Sequence, residues 1–190
     1  MTKILYLHGF ASSADSTKAK VIKAFVKKNT SSTKILIPNL DNNIKRAYQQ
    51  IEEIIKTESP SSIIGSSLGG FFGIYFAEKY DLLCVNINPA IPPIDMSEYL
   101  GENQNYSTGE KFVIDQDQLD WLGLMNKKIK NLKKHKNFMT LVQSGDEVLD
   151  YKLAIEYFSG SQIDITFGGD HSFEDFESHI QKIQNFLNMH

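Results

Sequence analysis

Short apolar runs recur along the chain at Lys3–Leu7, Lys34–Ile37, Ser62–Gly65, Leu82–Ile87, Phe138–Val142 and Ile163–Phe167. Each spans four to six residues without strict apolar–polar alternation, the pattern of a strand buried on both faces. Helical periods separate them. Ala19, Ile22, Phe25 and Val26 share one face, and Ile44, Ala47, Tyr48, Ile51, Ile54 and Ile55 form a second stripe. Phe176, Ile180, Ile183 and Leu187 form a third near the end of the chain. A helix from Phe71 to Lys79 fits between the third and fourth strands. Strand and helix in steady alternation predict an α/β protein: a mainly parallel sheet of about six strands with helices on both faces.

One region breaks this rhythm. From Pro89 to Asp120 no clean period appears, and Pro92-Pro93 lies near its start. Beyond it, Trp121, Leu122, Met125, Ile129 and Leu132 fall at helical spacing. Lys127, Lys128, Lys130, Lys133, Lys134 and Lys136 lie largely on the opposite face. That face reads either as solvated lysines or as an attractor for an anionic substrate. The apolar side chains Ile91, Ile94, Met96, Tyr99, Leu100 and Tyr106 either wall a pocket, form a short lid or simply cover the sheet. No repeat or linker composition divides the chain. The expectation is one domain over 1–190 with an irregular, cap-like segment at about 89–136.

Composition narrows the function classes. The 190 residues are 41% hydrophobic, enough for a core, and carry a net charge of −3. A dedicated nucleic-acid binder would show a global positive field, so no nucleic-acid partner is expected. The single cysteine, Cys84, lies within an apolar run and reads as a small core hydrophobe. No zinc-type spacing exists, and no metal or cofactor is expected. No apolar stretch is long enough for a membrane span. Ile4 to Leu7 is too short for a signal-peptide core, which makes the cytoplasm the default location.

The chemistry concentrates at strand ends. Gly65-Ser66-Ser67-Leu68-Gly69 is a Gly-x-Ser-x-Gly string centred on Ser67. Such a string arises by chance, but here a strand pattern runs into it and a helix pattern runs out, as a nucleophile elbow requires. The glycines Gly65 and Gly69 remove side chains that would collide with neighbouring backbone. The competing reading is a glycine-rich turn that cradles phosphate, although the Lys-Ser/Thr ending of a P-loop is missing.

A serine hydroxyl needs a base. Of five histidines, His171 alone follows a strand end and precedes the last helix. His190 is terminal, His135 lies in the lysine run, His179 falls in the terminal helical stripe, and His8 follows the first strand. Asp146, behind a turn glycine at the end of the fifth run, is the candidate for orienting His171. Glu147 and Asp150 are its rivals, and a turn or N-cap role suits Asp146 as well. The chain order Ser67, Asp146, His171 is the order of α/β-hydrolases. Two backbone N–H groups are needed to hold an oxyanion. Leu68 is one candidate and Phe10 the other, with Ala11 as the alternative to Phe10. Gly9 permits the turn there, and His8 supports the loop by hydrogen bonding.

These motifs resemble the YqiA/YcfP-type small bacterial esterases. Leu5-Tyr6-Leu7-His8-Gly9-Phe10, Gly65-Ser66-Ser67-Leu68-Gly69-Gly70, Asn88-Pro89-Ala90, Gly145-Asp146-Glu147 and Gly168-Gly169-Asp170-His171 carry the resemblance. It spans nearly the whole chain, is nearer to YqiA than to YcfP, and is weakest from Lys111 to Lys136. It implies a minimal α/β-hydrolase with esterase activity, using Ser67, Asp146 and His171; the expected partner is a small-molecule ester, with an acyl-CoA thioester left open. Acyl transfer or peptide hydrolysis on the same three residues is an alternative. A non-catalytic binding module of the same fold is another.

Overall fold

The computed structural model describes residues 1–190. Six strands form one sheet: β1 (Thr2–Leu7), β2 (Thr33–Leu36), β3 (Ser62–Ser66), β4 (Leu83–Ile87), β7 (Phe138–Gln143) and β8 (Gln162–Thr166). Their spatial order is β2-β1-β3-β4-β7-β8, and every pairing is parallel. The other two strands, β5 (Gly101–Gln104) and β6 (Lys111–Ile114), form a separate antiparallel hairpin. The helices are α1 (Thr17–Asn29), α2 (Ile44–Glu58), α3 (Leu68–Tyr80), α4 (Gln116–Lys128), α5 (Tyr151–Tyr157) and α6 (Ile180–Leu187). This is a minimal α/β-hydrolase fold.

The continuous apolar runs are explained by two separate cores, one on each face of the sheet. Ile4 and Tyr6 of β1 join Ile64, Val85, Met139 and Leu141 against α1 and α6. Leu5 and Leu7 point the other way, with Ile63, Cys84, Phe138 and Val142, against α2, α3, α4 and α5. Both registers of each strand are thus buried, so no polar face exists to produce alternation. From β1 the chain crosses to β2 at the edge, then returns past β1 to β3. Order reverses there, and in open α/β sheets the crevice outside the strand C-termini at such a point takes ligands.

Every expected strand is present within one residue or so of its expected bounds. The segment at 89–136 is more regular than its sequence suggests. It holds a 3-10 turn at Ser97–Tyr99, the β5–β6 hairpin and α4. The β5 sequence Gly101-Glu102-Asn103-Gln104 has no apolar position to betray a strand. The hairpin is anchored instead by Asn105, which is buried. Its Oδ1 accepts the N–H groups of Ser107 and Thr108. Its Nδ2 donates to Ser12 O and Asn42 Oδ1. Tyr106 N–H adds a bond to Ala11 O at 2.9 Å.

Two helical expectations change. α4 stops at Lys128, so the stripe through Ile129 and Leu132 is buried but not helical at those positions. The lysine run that follows makes local contacts at the far end of α3 from Ser67, about 20 Å along that helix. Lys134 pairs with Asp81 at 2.9 Å, and Glu78 accepts the N–H groups of Lys133 and Lys134. At the C-terminus, Phe176–His179 is a 3-10 turn that leads into α6, so His179 precedes the α-helix rather than lying inside it. The left-handed conformation of Asp175 immediately before the turn tightens this entry.

Candidate active site

The β3–α3 turn is built around two close backbone approaches. A Cβ on Gly65 would strike the backbone of Gly69 and Gly70, and a Cβ on Gly69 would strike the carbonyls of Leu7 and His8. Strand β3, helix α3 and strand β1 therefore meet with no room for side chains. Ser67 sits at the apex with φ 54° and ψ −123°, a conformation rare for a residue with a Cβ. Its N–H donates to Ile87 O at 3.1 Å, and its carbonyl accepts from Gly70 at 2.9 Å and Ala90 at 3.1 Å. These bonds hold the strained turn, and the side chain stands clear of the sheet.

His171 comes to this serine from the loop after β8. Its Nε2 lies 3.1 Å from Ser67 Oγ. Its Nδ1 lies 2.9 Å from Asp146 Oδ2 and 3.0 Å from Oδ1. The Asp146 side chain is 1% exposed, so this carboxylate is nearly removed from water. Two amides compensate: Oδ1 also accepts from Val148 at 2.9 Å and Leu149 at 2.8 Å. Asp146 is thus a turn aspartate and the partner of His171 at once. Its rivals have other partners. Glu147 accepts the backbone N–H of His171 at 3.0 Å, and Asp150 caps α5 through Lys152 N–H.

The loop that carries His171 is pinned by two amide side chains whose part the sequence reading missed. Gln143 Oε1 accepts from Asp170 and Glu174, and its Nε2 donates to Glu174 O at 2.7 Å. Asn88 Nδ2 donates to the carbonyls of Asp170 and His171, and its Oδ1 accepts Gln143 N–H at 2.9 Å. Both residues are buried, Asn88 at 2% exposure and Gln143 at 2%. The available signal was a polar amide at the very end of each apolar run, where a strand hands over to a site loop.

The β1 loop completes the setting. Gly9 packs so closely on Ser67 that a Cβ there would lie 3.2 Å from the serine Cβ. His8 is buried and fully engaged: Nε2 accepts Leu40 N–H at 2.9 Å, leaving Nδ1 to donate to Gly9 O at 2.9 Å. Burial pushes its pKa down, opposed in part by the Gly9 bond. The Phe10 N–H makes no hydrogen bond within the chain, and the Leu68 N–H, first in α3, has no intrahelical acceptor. The Phe10 ring is wedged between Tyr99 (4.9 Å between centroids) and Phe112 (5.5 Å), so elements of 89–136 fix this loop. The rival donor Ala11 takes a left-handed φ of 49°.

Two cavities open on Ser67. One, of about 290 Å³, is mainly apolar and runs past Leu68, Ala90, Ile94, Met96 and Leu149. The other, of about 340 Å³, is lined mainly by polar residues, among them Ser16, Lys18 and His171, together with Tyr6. A larger cavity of about 490 Å³, with Lys130 and His135 in its wall, does not reach Ser67. No group of three His, Cys, Asp or Glu side chains could hold a metal ion, and no helix is long and apolar enough to cross a membrane.

The fold is that of the α/β-hydrolases, and solved structures share it. Over 98% of this chain and 87% of the other, it superposes on Est1E from Butyrivibrio proteoclasticus with a TM-score of 0.71 at 10% identity. A putative hydrolase from Agrobacterium vitis matches with a TM-score of 0.72 at 14% identity, covering 98% and 88%. The esterase domain of a Rhodothermus marinus protein gives 0.66 at 15%, covering 97% and 86%. At the level of sequence, residues 3–188 match the model of UPF0227, an uncharacterised protein family, and the chain belongs to that family. The UPF0227 protein ECA1814 of Pectobacterium atrosepticum is 26% identical over 96% of this chain and 97% of its own.

Proposed function

We propose that the protein is a serine hydrolase that cleaves carboxylic esters or thioesters through an acyl-Ser67 intermediate. The observation that carries this reading is the unbroken line from Ser67 Oγ to His171 Nε2, and from His171 Nδ1 to a buried Asp146 carboxylate. With its Nδ1–H donated to Asp146, His171 presents the Nε2 lone pair to the serine. Ser67 Oγ attacks the ester carbonyl carbon and its proton passes to Nε2. The N–H groups of Phe10 and Leu68 hold the resulting oxyanion. Collapse expels the alcohol or thiol, which takes the proton from Nε2. Water then repeats the sequence on the acyl group, which frees the acid and restores Ser67.

The strained backbone of Ser67 supports this assignment, since such strain recurs where a nucleophile is held proud of a sheet. The family resemblance to YqiA-type esterases points the same way. Segment 89–136 acts as a cap within one domain: it walls the apolar cavity through Ile91, Ile94 and Met96 and braces Phe10 through Tyr99 and Phe112. Hydrolysis of p-nitrophenyl butyrate by the wild type, Ser67→Ala and His171→Ala proteins tests the reading. Turnover is expected from the wild type only, and both variants are expected to be folded by circular dichroism. Full activity in either variant overturns it.

A further inference from the structure

Three polar side chains beside Ser67 take no part in those steps. Tyr6, on β1, is 0% exposed and lines the second cavity, and its buried phenol O–H has no hydrogen-bond partner. The Ser16 hydroxyl is inaccessible and unpartnered too, and lies close enough to the Tyr6 phenol to oppose the rise in pKa that burial causes there. Ser16 is the N-cap residue of α1, yet its side chain makes no capping bond, and the first turn of α1 contains no acidic residue. No acidic side chain of its own first turn offsets the positive end of that 13-residue helix. Lys18 reaches the same cavity. Its Nζ donates to Ser172 O at 2.7 Å, which leaves further N–H donors free. Burial lowers the Lys18 pKa, while Asp170 and Asp146 act to raise it. Asp146 is already committed to His171 and two amides.

An ammonium with spare N–H donors, two unpartnered hydroxyls and a helix N-terminus converge on one cavity. Buried donors of this kind are normally satisfied, so the missing partner is a group rich in acceptors. The side of the site matters as well. The departing alcohol must take its proton from His171, and His171 borders the polar cavity but not the apolar one.

We propose that the alcohol half of the substrate carries a carboxylate or phosphate-type oxyanion, held by Lys18, Tyr6 and Ser16 at the N-terminus of α1, while an apolar acyl half fills the other cavity. The proposal rests on the esterase reading for its orientation, though the anion site itself does not.

Two measurements separate these claims. The first compares kcat/KM for 4-carboxyphenyl butyrate and 4-phosphonophenyl butyrate with that for their uncharged methyl esters, which are similar leaving groups. The second is calorimetric titration with benzoate and phenylphosphonate. Wild type is expected to favour at least one charged ester about tenfold, the size of one charge-assisted contact. The pair that shows the preference distinguishes carboxylate from phosphate. Lys18→Met should abolish the preference and weaken anion binding about tenfold, and Tyr6→Phe should reduce both several-fold. Lys20→Met, on the exposed side of α1, should retain both. Hydrolysis of all esters with ratios near one and no titratable anion binding would overturn the anion site while leaving the esterase reading intact. Anion binding that depends on Lys18, in a folded protein that hydrolyses none of the esters, would overturn the esterase reading and uphold the site. Binding or preference that survives Lys18→Met would overturn the assignment of these residues.

Discussion

His171 Nδ1 sits within 3.0 Å of both carboxylate oxygens of Asp146, and Asp146 is at the same time the acceptor for two amides of its own turn. The turn therefore holds the carboxylate independently of the histidine. Asp146→Asn keeps the size of the side chain but replaces an acceptor oxygen with a donor NH₂. We expect kcat to fall on the order of 10⁴-fold with the fold retained, since control of the His171 tautomer is lost. Asp150→Asn should remain active, because Asp150 caps α5 and Asn caps comparably. Steady-state kinetics on both variants checks this. The reverse result would move the role to Asp150.

Gly69→Ala tests the packing that creates the elbow. The added Cβ meets the carbonyls of Leu7 and His8, which belong to the central strand and its loop and have nowhere to move. The expected loss is about 3 kcal/mol or more, read as a fall in the urea midpoint. Gly123→Ala, where a Cβ meets nothing, should leave the midpoint unchanged or raise it slightly.

His8 links stability to pH. It is buried neutral, so its folded pKa lies below the ordinary value near 6.5. The unfolded chain then binds more protons over that interval, and stability rises with pH there. The contribution is present in full above about pH 6.5 and is lost as pH falls below it towards the folded value. Unfolding midpoints measured from pH 8 down to pH 5 should drop more steeply for wild type than for His8→Asn. The variant itself should be less stable at pH 8 because it loses bonds to Leu40 and Gly9.

His179 provides a control for the choice of histidine. It is buried beside Asp164, with Nδ1 3.1 Å from Oδ2, and Lys182 shares that carboxylate. Removing it should cost stability and leave kcat/KM for p-nitrophenyl butyrate within about twofold. A loss comparable to that of His171→Ala would contradict the assignment of the base.

The sequence was most informative where one physical cause dominates. Strands buried on both faces must be apolar throughout, and Ile63-Ile64 or Phe138–Val142 could read in no other way. The elbow was legible because collisions at Gly65 and Gly69 leave no alternative to glycine. The β5 strand was not legible, since its pairing uses backbone alone and its side chains are polar. The helical stripe through Ile129 and Leu132 misled for the opposite reason: burial continued beyond the helix, and burial is all that the stripe reports. Asn88 and Gln143 were hidden because a buried amide reveals its purpose only when its partners, up to 31 residues away in sequence for Gln143 and 83 for Asn88, are in view. The same holds for Tyr6 and Ser16, which count as a strand aromatic and a turn serine until the cavity beside Ser67 is seen.

The most direct test of the central claim is labelling with a fluorophosphonate, followed by mass spectrometry of the digested protein. One stoichiometric adduct is expected on the Ser67 side chain, absent from Ser67→Ala and greatly slowed in His171→Ala. An adduct on Ser66 instead, or no adduct on a protein shown to be folded, would contradict that claim.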